Sequence, residues 1–72
     1  MSMLIYDEMP ELTAEERPLY RGLAKDQQRA YVLVRDTTQC ATERLNAARI
    51  LPDEALVMIG NVVAMTVLRA RR

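Results

Sequence analysis

Seventy-two residues, half of them apolar and with ten acids balancing ten bases, suffice for one domain and are too apolar for a disordered chain. Histidine, tryptophan and phenylalanine are absent and cysteine occurs once, which removes imidazole catalysis, His-ligated metals, an internal disulfide and a zinc knuckle. A net charge of zero argues against a nucleic-acid binder of the usual kind, which relies on attraction to phosphates.

A chain this short buries only roughly 60% of its unfolded surface. With no disulfide or metal to help, self-association or a partner is the expected stabiliser. A lone cysteine suits a reducing compartment. Met1–Ile5 is too short for the apolar segment of a signal peptide, and Asp7, Glu8 and Glu11 follow it. The longest nearly unbroken apolar run, Ala55–Leu68, falls short of the roughly 20 residues that span a bilayer. The expectation is a cytoplasmic protein.

Residues 1–12 read as an acidic arm with Tyr6 as its anchor, and residues 13–72 as a single helical domain. Residues 1–16 hold five acids and no base. Thr13 with Glu16 three positions on forms a capping box, and Leu12 precedes it at the staple position. Pro18 predicts that this first helix is short or bent. Leu19, Tyr20 and Leu23 are its expected core contacts, and Gly22 its left-handed stop.

Asp26 is the next candidate cap. No glycine or proline interrupts the chain from Gln27 to Ile50, and Pro52 sets a stop. Ala30, Leu33, Val34, Thr37, Cys40, Ala41, Leu45 and Ala48 recur at helical spacing, with Arg29, Arg35, Asp36, Gln39, Glu43 and Asn46 opposite. The pattern predicts one long amphipathic helix, with Thr37 bonded back to its own backbone and Cys40 buried and inert.

Pro52, Asp53 and Glu54 open the last element, and Arg69, Arg71 and Arg72 sit where cations favour a helix end. Between them, Ala55–Leu68 is apolar nearly all round and predicts a helix covered on most sides. A rival is a β-hairpin turning at Gly60-Asn61 between β-branched runs. Neither run alternates polar with apolar, and acids first with bases last is the charge order of a helix.

The carboxylates of the N-terminal segment lack a calcium-loop pattern, and Gly22 and Gly60 are too far apart for a phosphate loop. No catalytic set, cofactor or metal site is expected. Nine arginines would suit phosphate or guanine contacts. Arg29, Arg35 and Arg49 are interleaved with Asp36 and Glu43, however, and no helix-turn-helix turn is evident. The apolar helix lacks the polar face that membrane-surface helices need. Protein binding fits best, because an uncovered apolar helix would leave a patch of the kind that marks interaction sites.

The stretches Leu12-Thr13-Ala14-Glu15-Glu16-Arg17, Leu19-Tyr20 and Ala24–Leu33 resemble the helical tails that follow helix-turn-helix domains in phage-type repressors. The resemblance covers about twenty residues and rests on two capped amphipathic starts. It lacks the DNA-reading domain and implies a small accessory regulator, of the sort that mobile elements encode to block a host protein.

The expected architecture is all-α: a short N-terminal helix plus an antiparallel helical hairpin, assembled as a homodimeric bundle. Leu56, Ile59, Gly60, Val63, Ala64 and Val67 are the expected dimer or partner core. Tyr6, Asp7, Glu8, Arg35 and Gln39 are the candidate surface for a larger protein. The expected function is that of a non-enzymatic adaptor or inhibitor. The alternative is a small DNA-binding or transcription-accessory dimer.

Overall fold

Residues 12–72, which the computed structural model describes, form α-helices joined by turns, with no strand among them. The helices are α1 (Glu16–Gly22), α2 (Lys25–Arg35), α3 (Ala41–Ala48), α4 (Asp53–Ile59) and α5 (Val62–Ala70). The all-α class agrees with the sequence. The two long helices do not form as predicted; each is broken in two, and the breaks have local chemical causes.

The capping box forms at α1. The Glu16 N–H donates to Thr13 Oγ1 at 3.2 Å, and the Thr13 N–H donates to Glu16 Oε1 at 2.9 Å. The helix is short, as Pro18 demands. Gly22 does not stop it in the left-handed region, since Gly60 is the one residue with positive φ among those described. Leu23 turns extended instead, and its N–H bonds the Tyr20 carbonyl at 3.1 Å.

Ala24, and not Asp26, caps α2, and Gln27 Oε1 reaches back to the Ala24 N–H at 3.1 Å. The helix ends at Arg35 because the next side chains offer the backbone other partners. Asp36 Oδ1 accepts the Thr38 N–H at 3.0 Å and the Thr38 hydroxyl at 2.6 Å, while Oδ2 accepts from Gln39 Nε2 at 3.2 Å. The predicted helix from Gln27 to Ile50 therefore becomes α2, a self-bonded turn and α3. Thr37 is exposed in that turn, and Cys40, expected to be buried, is exposed at the N-cap of α3.

Gly60 breaks the apolar C-terminal segment. It adopts φ +67° as the C-cap of α4 and donates its N–H to the Leu56 carbonyl at 2.9 Å. Asn61 then starts α5, its Oδ1 accepting the Ala64 N–H at 2.9 Å. The Gly60-Asn61 turn exists, but it joins two helices and not two strands.

In the core α2 packs on α3, α5 on α3 and α4, and α1 lies across α2 and α4. Ala48, Ala55 and Ala64 are fully buried, one on each of α3, α4 and α5, so side chains do not hold these helices apart. Tyr31, Val34, Leu51 and Leu56 fill the remaining space. Side chains from neighbouring helices satisfy the carbonyls that helix ends leave free. The Val34 carbonyl accepts from Arg44 Nε and Nη2 at 3.2 and 2.9 Å and from Asn61 Nδ2 at 2.9 Å. Arg71 Nη2 donates to the Arg49 and Leu51 carbonyls at 3.0 and 2.7 Å, and Gln27 Nε2 to the Ile50 carbonyl at 3.1 Å.

Two variants test this account of the turn. Asn61→Ala removes a cap and leaves a carbonyl with one donor fewer, for an expected loss of about 1–3 kcal/mol. Gly60→Ala meets only ordinary contact with the Val57 carbonyl at 3.5 Å, so its expected cost of about 1–2 kcal/mol comes from the left-handed backbone. Urea unfolding followed by circular dichroism measures both. Unchanged midpoints would show that the turn does not hold the helices.

Candidate interaction surface

Breaking the apolar segment gives each half its own inside and outside. On α4, Ala55 and Leu56 are buried and Ile59 is half-buried, while Asp53, Glu54, Val57 and Met58 are exposed. On α5, Val63, Ala64, Val67 and Leu68 are buried, while Val62, Thr66, Arg69 and Ala70 are exposed. Val62 is 80% exposed, Val57 60% and Met58 38%, an unusual state for large apolar side chains flanking one tight turn. Arg71 Nη1 pairs with Asp53 Oδ1 at 2.6 Å, which ties the end of α5 to the start of α4, so the two helices run in opposite directions. The bond from Asn61 to the Val34 carbonyl sets the opposite, apolar end beside the C-terminus of α2.

The polar groups inside the fold are consumed by it. Tyr31, fully buried, donates its hydroxyl to Glu16 Oε2 at 2.6 Å, and Arg35 Nε lies 3.2 Å from the same oxygen. Burial pushes the Glu16 carboxyl up. The Tyr31 hydroxyl, the Thr13 N–H and the Arg35 charge outweigh it and hold the group below the usual carboxylate range. Burial, together with the Glu16 charge, raises the Tyr31 phenol above its ordinary range. Tyr20 packs edge-on against Tyr31, with centroids 5.9 Å apart. Among the described residues every buried side-chain nitrogen or oxygen has a partner, no group of three or more His, Cys, Asp or Glu could hold a metal ion, and no helix is long and apolar enough to cross a membrane. The Cys40 thiol is lowered by the N–H groups of Glu43 and Thr42 at the start of α3.

The expected core residues Leu56, Val63, Ala64 and Val67 are buried within a single chain; Ile59 is half-buried, and Gly60 is exposed at the turn. Tyr6, Asp7 and Glu8 lie outside the described residues. Arg35 and Gln39 are not spare surface groups: Arg35 pairs with Glu16, and Gln39 bonds Asp36. Sequence reasoning missed Val57, Met58 and Val62 as a distinct group. The signal that separates them is the Gly60-Asn61 break, which resets the helical phase on either side. Comparison of the chain with protein-family models, curated proteins and solved structures finds no match to any of them.

The buried carboxylate gives a pH-dependent stability. Because Glu16 titrates lower when folded than when unfolded, its contribution is fully present above the unfolded value of about 4.3 and is lost as pH falls toward the folded one. Glu16→Gln should lower stability at neutral pH by about 1–3 kcal/mol and remove part of the acid dependence below about pH 5. Urea titrations of parent and variant across that range test it, and parallel pH profiles would rule it out. In a spectrophotometric titration one tyrosine should stay unionised beyond the ordinary value of about 10 until the protein unfolds.

Proposed function

We propose that the protein is a non-enzymatic interaction module that regulates a larger protein by docking through the corner where α4 meets α5. The observation that carries this reading is the exposure of Val57 and Val62, at 60% and 80%, on helices whose other large apolar side chains are, apart from Met58, buried or half-buried. Covering a fully exposed valine or methionine side chain contributes roughly 1.5–3 kcal/mol, and Val62, the most exposed of the three, gains the largest share of it. A cluster of three provides an anchor of the size that hot spots supply. Met58 adds a flexible, polarisable group that adapts to an opposing surface. Val62→Lys and Val57→Lys should be nearly neutral for folding, since neither side chain helps fill the core.

A second reading, DNA binding, draws on charge. Residues 1–11 hold three of the acids and no base, leaving net +3 on residues 12–72. Arg17 and Arg21 on α1 and Lys25 and Arg29 on α2 are exposed at four-residue spacing, with no ion pair among the described residues.

The two readings separate in one pair of assays. Parent protein and the Val57→Lys/Val62→Lys variant are used as bait in cell lysate of the source and in gel shifts on duplex DNA. The expected result is a specific protein captured by the parent at both low and high salt and lost from the variant, with melting temperatures of parent and variant within a few degrees. Equal capture by the variant would remove the corner from the interface. Tight DNA binding that weakens steeply with salt, with no protein captured, would establish the second reading instead.

A further inference from the structure

We infer that the surface formed by α4 and α5 takes a second copy of this chain, in a two-fold pairing that lays α4 of each copy along α5 of the other. The inference rests on the reading of this face as a docking surface and adds that a second copy occupies the corner until the larger protein displaces it. The argument comes from the order of the exposed side chains. Along α4, from its start, they run Glu54, Val57, Met58; along α5 they run Val62, Thr66, Arg69. The Asp53–Arg71 pair holds the helices antiparallel. The acid of one strip and the base of the other therefore lie toward the same end, and the apolar side chains of both lie at the other end.

A two-fold axis running along the helix pair brings α4 of one copy over α5 of its partner without reversing that order. Val57 and Met58 then meet Val62 of the partner subunit, and Glu54 meets Arg69 of the partner subunit. By symmetry both contacts occur twice, as in any isologous interface. Glu54 and Arg69 are exposed and have no ion pair among the described residues, whereas Asp53 and Arg71 are taken by each other. The alternative two-fold stacking, α4 on α4 and α5 on α5, reverses the order along the helices and sets Glu54 and Arg69 against the apolar end of the other copy, where each charge would be covered without a partner, so the same residues that favour one pairing disfavour the other.

The test is sedimentation equilibrium of the full chain up to about 200 µM, a range that detects dimers of modest affinity. The parent should reach twice the 8.2 kDa chain mass, and Val62→Lys should sediment as a folded monomer. Glu54→Arg alone and Arg69→Glu alone should each weaken dimerisation at least about tenfold, because each sets like charges together twice. Mixing these two variants should restore it, since in the mixed pair both charge contacts attract. Rescue by mixing cannot come from a contact within one chain. A parent that stays monomeric, or single variants that mixing does not rescue, would overturn the inference. A monomeric parent whose captured protein is still lost on Val57→Lys/Val62→Lys would overturn the self-pairing and leave the docking surface standing.

Discussion

The fold turns on the side-chain amide of Asn61. Its oxygen caps α5 through the Ala64 N–H, and its nitrogen holds the Val34 carbonyl at the end of α2. Arg44 brings α3 to the same carbonyl. The Asn61 amide and the Val34 carbonyl thus tie together three helices and the tight turn that follows α4. The importance of this contact follows from helix length. Helices of seven to eleven residues are unstable alone in water, where nucleation is costly and about 12–15 residues are needed even in good formers. Each depends on packing and on having its open ends satisfied, and here the end of one helix is repeatedly satisfied by a side chain of another. Gln28 on the Tyr20 carbonyl is a further instance, joining α1 to α2.

The division between interior and surface follows from the same economy of polar groups. Glu16, Tyr31 and Arg35 form a network that seals α1 against α2, and its members are needed where they are. Arg71 spans three acceptors around the turn between α3 and α4. The side chains left without structural work are mainly exposed cations of α1 and α2 and the apolar corner of α4 and α5. That residue of unused chemistry is what supports a binding role.

Much of the local structure was legible in the sequence, and the larger arrangement was not. The Thr13–Glu16 capping box, the short first helix and the start after Pro52 follow from rules that act over a few residues. The break after Arg35 was hidden because the apolar period continues through it. What ends α2 is competition from Asp36, Thr38 and Gln39 for local hydrogen bonds, which leaves no mark on periodicity. At Gly60-Asn61 the dipeptide correctly signalled a turn, but a turn signal does not say whether helices or strands flank it. The candidate surface was obscured for a related reason. A segment that is apolar nearly all round presents no preferred face, so Leu56, Val63, Ala64 and Val67 looked as available to a partner as Val57 and Val62.

The two interruptions differ in what they would tolerate over evolutionary time. Asp36 to Gln39 close their turn with their own side chains, so inserted residues there would lengthen a loop and leave the helices seated. Gly60-Asn61 has no such slack. A single added residue would rotate α5 by about 100° relative to α4, draw the amide off the Val34 carbonyl and turn Val62 toward the interior. Lengths between α2 and α3 are therefore free to drift among descendants of this chain, while the spacing from Leu56 to Ala64 is held fixed by geometry.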